Sequence, residues 1–460
     1  MAPDSSPVST AHDPERAAEL AATYGILQYT ADGSMTHCPL MVSPAPVSDA
    51  LLDQLASLTE PFGRLMNAVA GDLEFMSETL RRAATADEYT RFLLELALEH
   101  ERDASSWRFA ITRSDYFATA DGDGLRQVEL NTIAASYLGL AGRIADFHRA
   151  YRTVVAADWD VVENRPVDGV ADAFAEVVRE YGAVNGCVLL ISQAGERNIF
   201  DQRILEAALA ERGLRVVRSP LEALLDRARI TSSGDLVIDD QVAAVTYFRA
   251  GYRPDDLATQ AARDARRLLA RSSSIAVPDL RTHLSGTKKI QQVLTQPDIL
   301  ARFLSPDDAA QVTTSFALLA GLDDPIPFEG RTVPAFEAAI ERPERFVLKP
   351  QREGGGFNFY GEAIKRALLG MNASERDAFV LMERLHPAAR VADGLRAGQS
   401  WRGSVVSELG HFGVLFARGD DIRLNRGVGY LVRTKAADQD EGGISSGAGH
   451  LDSLARLPAS

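Results

Sequence analysis

The sequence predicts an α/β protein, on three observations. Apolar residues recur at helical spacing through much of the first hundred positions; strand and helix patterns alternate between Gly182 and about Pro278; the remainder interleaves strand-like runs with two glycine-rich loops. At 460 residues the chain has room for about three domains, or for one large unit with insertions. Lys and Arg number 49 against 64 Asp and Glu, a formal charge of −15, which argues against a uniformly basic nucleic-acid binder. With 46% apolar and 25% charged residues the composition is that of a globular protein. Cys38 and Cys187 are too few for a disulfide framework and favour a reducing compartment. The first residues lack a basic stretch followed by an apolar one, and no run approaches the roughly 18 apolar residues of a membrane helix, so a cytoplasmic protein without membrane partners is expected.

Taken in order, residues 1–14, rich in Pro and Ser, read as a mobile tail. From about Pro14 to Ala110 the pattern is helical: ERAAELAATYG, then VSDALLDQLASL with Ser48 as N-cap, then EYTRFLLELALEHERD. After Gly124 the period becomes two across LRQVELN, which puts Gln127, Glu129 and Asn131 on one strand face. The run CVLLIS reads as a buried strand, DQRILEAALAERG as a helix closed by Gly213, LRVVRS as a second strand, and DLVIDDQVAAVTYF as a hairpin around Asp239 and Asp240. Together they describe a small doubly wound unit over 183–284, whose loops GERNIF and FRAGY leave the strand ends where open α/β sheets bind ligands. Beyond it come a helix start at Gly286 to Lys289, strands RFVLKP and FVLMERL around QREGGGFNFYGE, and strands SVVSELGHFGVLFAR and VGYLVRTKA before a second glycine-rich loop.

Several motifs carry chemistry. The loop from Lys349 to Gly356 places a lysine, Glu353 and the bare N–H groups of Gly354, Gly355 and Gly356 where phosphate oxygens and a metal would sit, although triple glycine also marks flexible surface loops. Glu129 and Asn131 are hard oxygen donors of the kind Mg²⁺ takes; a solvated strand edge shows the same pattern. Lys288, Lys349, Arg433 and Lys435 stand at element ends as point charges aimed into a cleft, or as surface cations. Neither a Gly-Lys-Ser/Thr phosphate loop nor Gly-x-Gly-x-x-Gly after a strand is present. Gly443 to Gly447 fits Gly-x-Ser-x-Gly, but no buried strand precedes it and only His450 follows, so a serine hydrolase is rejected; no zinc spacing occurs.

Nine blocks in order then resemble one family, the eukaryotic-type glutathione synthetases of the ATP-grasp ligases: RSDYF from Arg113, VELNTIAAS ending at Ser136, ERNIFDQR from Glu196, YFRAGY from Tyr247, GTKK from Gly286, FVLKPQREGGG from Phe346, LMER from Leu381, SELGHFGV from Ser407, and LVRTKA with the glycines up to Gly443. They span the chain from about residue 15 to its end. The resemblance implies an ATP-grasp catalytic body with a helical N-terminal part and a glycine-rich lid (15–182 and 285–460), an inserted α/β substrate-binding domain (183–284), and a homodimer. It implies ATP and Mg²⁺, with γ-glutamylcysteine and glycine as substrates.

Carried over position by position, Glu129, Asn131 and Glu353 would hold magnesium. Lys288, Lys349, Gly354, Gly355, Gly356, Asn358, Tyr360 and Lys435 would hold the nucleotide phosphates and ribose side; Met382, Glu383, Arg384 and Leu385 would form the hinge against adenine, and Glu408 would approach the ribose. Arg113, Ser136, Glu196, Asn198, Gln202, Arg249 and Tyr252 would grip the dipeptide, while Arg433, Ile444 and Ser445 would meet its carboxylate end and the incoming amino acid. Arg113, Ser136 and Arg433 are the expected catalytic groups. Six cations from distant segments, Arg113, Arg249, Lys288, Lys349, Arg433 and Lys435, are expected to converge on one basic cleft. Three positions depart from the family pattern: Ala134 where Ser is frequent, Phe357 where Asn is frequent, and Ile444-Ser445 where glycine-specific members carry Val-Ala. The last leaves β-alanine or serine open as acceptor, because one methyl or hydroxyl shifts discrimination by only about 1–3 kcal/mol. A non-catalytic nucleotide-binding scaffold is the remaining alternative.

Overall fold

The structure is a computed structural model that describes residues 13–100, 106–183, 185–351, 357–444 and 447–457. Glu353, Gly354, Gly355, Gly356 and Ser445 lie outside the described residues, as does most of the expected tail; Pro14 is already helical, with the Asp13 carboxylate accepting from Arg16 N–H.

A seven-stranded sheet organises the molecule, in the order Arg390–Arg396, Leu40–Met41, Gly449–Asp452, Asp421–Ala436, Gln399–Arg418, Trp107–Ala118 and Leu125–Asn131. Arg390–Arg396 also pairs with Gln399–Arg418, so five of these strands close into a ring. The long hairpin Gln399–Arg418/Asp421–Ala436 and its neighbour Trp107–Ala118 form the spine, and Gln399–Arg418 and Trp107–Ala118 are buried for most of their length. That double burial hides the period-two signal of Trp107–Ala118. The region expected to be helical up to Ala110 therefore enters this strand at Trp107, and it also contains the short strands Leu27–Tyr29, Met35–His37, Leu40–Met41 and Ala45–Val47. The helices themselves form as their caps dictate: Ser48 Oγ accepts from Leu51 N–H at 3.2 Å to open Asp49–Gly71, and Asp87 opens Glu88–Glu99.

Two further sheets flank the spine. In one, the parallel strands Val216–Ser219, Cys187–Ile191, Gln241–Phe248 and Ile275–Val277 lie side by side in that order, with Leu236–Ile238 returning antiparallel onto Gln241–Phe248 through Asp239 and Asp240, both at positive φ. The other is antiparallel: Leu319–Gly321, Phe379–Glu383, Phe346–Pro350 and Phe359–Tyr360. It has its own core, in which Phe346, Leu348 and Leu381 pack with Ala335, Ala338, Ile364 and Leu368 from the helices Ala335–Glu341 and Glu362–Gly370. No helix of the described residues is long and apolar enough to cross a membrane.

One buried side chain ties Ile199–Glu211, the helix after Cys187–Ile191, to the helix Leu138–Val154. The Asp201 carboxylate accepts from the backbone N–H groups of Tyr137, Gly139 and Leu140, at 2.7, 2.8 and 3.2 Å, and so caps the helix Leu138–Val154 from outside it. Tyr137 at the cap sits at φ +73°, a strained conformation that these bonds hold. Asp201→Ala is expected to lower unfolding stability by about 2 kcal/mol and Asp201→Asn by less, since the amide keeps one acceptor; urea titration of both variants checks this.

Candidate active site

A cavity of about 270 Å³ opens between the antiparallel sheet and the spine. Strand alternation determines what faces it. On Phe346–Pro350 the even-numbered Phe346 and Leu348 enter the core, which turns Val347 and Lys349 into the cavity; Met382 lies opposite Val347 and lines it too. From the spine come Phe117, Val406, Glu408, Arg433 and Lys435, with Glu408 registered between Phe117 and Arg433. Lys288 enters from the first turn of Lys288–Leu294. All described residues assigned by resemblance to the nucleotide line this one cavity: Lys288, Lys349, Asn358, Tyr360, Met382, Glu383, Arg384, Leu385, Glu408 and Lys435.

The shared strand face of Gln127, Glu129 and Asn131 is interrupted. Asp115 pairs with Glu129 and Tyr116 with Gln127, which leaves Val128 as a bulge. Gln127 turns to donate to Ser114 Oγ at 2.8 Å, Glu129 enters the cavity, and the Val128 carbonyl accepts from Lys349 Nζ at 2.8 Å. Asn131 lies behind the cavity, its Nδ2 donating to Asp115 Oδ2 at 3.0 Å and to the Arg113 carbonyl at 3.3 Å.

Among the described residues the cleft is not basic in sum. Five cations line the cavity, Lys288, Lys349, Arg384, Arg433 and Lys435, against five carboxylates, Glu129, Glu383, Glu408, Asp440 and Glu441. Lys288 Nζ pairs with Glu129 at 2.9 Å, and Arg433 with Glu408 and, at 2.9 Å, Asp115. Lys435 Nζ donates to the Asp440 carbonyl at 2.5 Å and Arg384 to Asp440 Oδ1 at 2.7 Å, while Glu441 accepts from Asn358 and Tyr360. The second glycine-rich loop thus closes one wall and reaches the strand that follows the first. Burial disfavours the Glu129 charge, but Lys288, Lys349 and Arg433 outweigh it and hold the carboxyl below its usual range. Burial likewise works against Arg433, and Glu408, Asp115 and Glu129 outweigh it, keeping the guanidinium above its ordinary value.

The residues assigned to the dipeptide grip do not line this cavity, and Arg113 is linked to it through Asp115 and Arg433. Arg113 donates through Nη1 to the Ser136 carbonyl at 3.3 Å, and Arg249 through Nη2 to Ser136 Oγ at 2.7 Å. Arg249 is only 4% exposed, and its Nη1 has no hydrogen-bond partner in the structure. Glu196 accepts from Asn198 N–H and Gln202 Nε2, at 2.8 and 2.9 Å, and Tyr252 stands half-buried after the strand end. Arg249 therefore faces a small neighbouring hollow with Asp201, Gln202 and Tyr247 instead of the main cavity. Ile444 is 2% exposed and packed in the core with Leu431 and Leu451, so its side chain does not line the cavity. Three charged residues escaped the reading of the sequence: Asp115, Asp201 and Glu441. For Asp115 the signal was present, because Arg113 and Asp115 are two apart and must share a strand face.

These features define the class first: an α/β protein with a closed-in, charge-paired cleft between two antiparallel sheets and a parallel sheet alongside. The particular family follows from comparison. Residues 16–455 match the model of the eukaryotic glutathione synthase ATP-binding domain, and the chain belongs to that family. Glutathione synthetase of Rattus norvegicus is 38% identical over 91% of this chain and 90% of its own length, that of Homo sapiens 37% over 92% and 91%. The chloroplastic glutathione synthetase of Solanum lycopersicum is 36% identical over 91% of this chain and 78% of its own. In fold, the chain is similar to a solved glutathione synthetase-like effector from Globodera pallida, with a TM-score of 0.78 at 20% identity, covering 98% of this chain and 99% of that one.

Burial, with the nearby Lys288 ammonium, brings Lys349 down to about 8 despite Glu129, Glu408 and Glu441. Because the unfolded chain holds its proton up to the ordinary 10.5, it binds more protons than the folded state between these values, so stability rises with pH there. Unfolding free energies of wild type and Lys349→Met, compared from pH 7 to 10, are expected to show wild type gaining up to about 3 kcal/mol on the variant as pH climbs past about 8.

Proposed function

We infer that the protein is an ATP-dependent ligase that joins γ-glutamylcysteine to glycine and so makes glutathione. The observation that carries this reading is the continuous chain of charge and hydrogen bonds Arg433–Asp115–Arg113–Ser136–Arg249, running from the cavity to a buried guanidinium with an unpartnered N–H. A carboxylate is the complement of such a group. Family membership and relatives named as synthetases support it, and the non-catalytic scaffold is not favoured.

On this reading the ATP-grasp body comprises 15–182 and 285–460, and 183–284 is the substrate-binding domain. The nucleotide lies between the sheets, its base against Met382 to Leu385 and its ribose side towards Glu408 and Tyr360. Lys288, Lys349 and Lys435, with Asn358 and the loop Gly354 to Gly356, take the phosphates. Arg249, Ser136, Glu196, Asn198, Gln202 and Tyr252 hold the γ-glutamyl end, and Arg113 and Arg433 the cysteinyl carboxylate. That carboxylate oxygen attacks the γ-phosphorus, the bond to the β-phosphate oxygen breaks, and ADP leaves. The glycine amine then adds to the acyl carbon, and the tetrahedral oxyanion collapses with loss of phosphate and of the amine proton. No enzyme nucleophile is required; Arg113 and Arg433 orient the carboxylate and neutralise the oxyanion, and the two glycine-rich loops keep water from the acyl phosphate.

Glu129, a carboxylate inside the cavity, is the described donor that fits magnesium; Asn131, behind the cavity with Nδ2 spent on Asp115, and Glu353 would complete the set. When bound, Mg²⁺ neutralises charge on the transferring phosphoryl group. Glycine is the acceptor we assign, and Ser445 the residue at which β-alanine or serine would be distinguished. Homodimer formation rests on the family resemblance, and a cytoplasmic setting on two cysteines too few for a disulfide framework; light scattering of the purified protein tests the first.

Phosphate release is expected to require ATP, Mg²⁺, γ-glutamylcysteine and glycine together; release without amino acid excludes the reading. With mass detection of product, glycine is expected to outpace β-alanine and serine by about tenfold or more at equal concentration. Lys349→Ala is expected to cost about a hundredfold in kcat/KM for ATP, and turnover at the wild-type rate would remove Lys349 from the site.

A further inference from the structure

Two arginines of the site, Arg113 and Arg433, come from strands that are not neighbours. Gln399–Arg418 runs between them, with Gly410 paired to Asp115 on one side and to Leu431 on the other. Strands stand about 4.8 Å apart, so a side chain of one outer strand meets one from the other only across two spacings, over whatever the middle strand presents. At the crossing point the middle strand presents nothing. A Cβ on Gly410 would lie 2.6 Å from Asp115 Oδ1 and 2.9 Å from Arg113 Cδ, distances that side chains do not adopt. Glycine here makes room for a carboxylate to collect partners from both sides.

Asp115 is wholly buried and takes four contacts. Arg113 donates Nε to Oδ1 at 2.6 Å and Nη2 to Oδ2 at 2.8 Å, a two-pronged pair that fixes the guanidinium plane; Arg433 Nη2 reaches Oδ2 at 2.9 Å, and Asn131 Nδ2 reaches it at 3.0 Å. One carboxylate therefore orients both arginines and the amide beside Glu129. Left without it, two buried guanidiniums would face each other with Glu408 as the acid still paired to Arg433.

We propose that Asp115 is a positioning residue for the ligase reaction: it touches no substrate, and it holds Arg113 and Arg433 in the one arrangement in which their outward N–H groups converge on the substrate carboxylate. Gly410 is the companion position that admits it. The inference rests on the functional reading above, in which those two arginines serve the dipeptide. Its reach is selective: Asp115 contacts none of Lys288, Lys349, Asn358 or Tyr360, and it meets the nucleotide's surroundings only through Asn131, a ligand assigned to magnesium.

The test is Asp115→Asn, nearly the same in volume and without the charge, measured by steady-state kinetics in γ-glutamylcysteine and by equilibrium binding of magnesium-free ATP to the full-length protein, which leaves the ligand Asn131 out of the reading. Expected are a rise of about tenfold or more in KM for the dipeptide with a fall in kcat, and an ATP Kd within about threefold of wild type. Wild-type kinetics overturn the proposal. So does a fall in kcat alone with unchanged KM, which is the mark of a smaller active fraction, and so does an equal loss of ATP affinity. If Asp115→Asn does not fold, Gly410→Ala, which keeps every charge and displaces the pair, carries the same test; failure of both to fold overturns the proposal by making Asp115 a determinant of the fold. A wild-type protein that releases no phosphate with dipeptide and glycine instead brings down the functional reading, and this inference with it.

Discussion

Charge cannot be buried alone, and the architecture of this protein follows from that constraint. The cavity needs cations to receive polyanionic ligands, yet an ammonium or guanidinium taken out of water needs an acid or a polar group beside it. The structure meets this by pairing: Lys288 with Glu129, Arg433 with Glu408 and Asp115, Arg113 with Asp115. A cleft built in this way is close to neutral before anything binds. An arriving anion joins charges already held in place, and the groups need little reorganisation when charge develops.

Pairing of that kind demands long, rigid elements in fixed register, which explains the weight given to the hairpin Gln399–Arg418/Asp421–Ala436 and to Trp107–Ala118. Alternation along these strands does two tasks. One set of side chains fills the cores; the other supplies Phe117, Glu408, Arg433 and Lys435 to the cleft. The antiparallel sheet opposite repeats the division, Leu348 inward and Lys349 outward. Where alternation is broken, at Val128, the bulge has a use, since it exposes a carbonyl that anchors Lys349 Nζ.

Attachment between the helices Ile199–Glu211 and Leu138–Val154 follows the same rule in miniature. The Asp201 carboxylate answers three backbone N–H groups at the start of Leu138–Val154, and Ser136, one residue before that cap, carries hydrogen bonds from Arg113 and Arg249. The loop connecting the two halves of the site is thus held at both ends by charged groups, and its position does not depend on apolar packing alone.

Much was legible in the chain. The helical and strand periods, the hairpin at Asp239 and Asp240, the cap at Ser48 and the ordered motifs are local patterns, and local patterns survive in sequence; they identified the class and gathered the residues that line one cavity. What they could not convey was partnership. The strand Trp107–Ala118 was hidden because burial on both faces removes alternation. The basic cleft expected from six cations is neutral among the described residues, since their acids come from other strands; Arg433 and Asp115 meet across 318 positions of chain. Ile444, expected at the acceptor end, packs its side chain in the core. Sequence alone determined which charged groups the molecule carries and which face of its own element each occupies; only the tertiary structure decided which charge answers which, because a buried ion pair is a property of two strands' register and not of either strand.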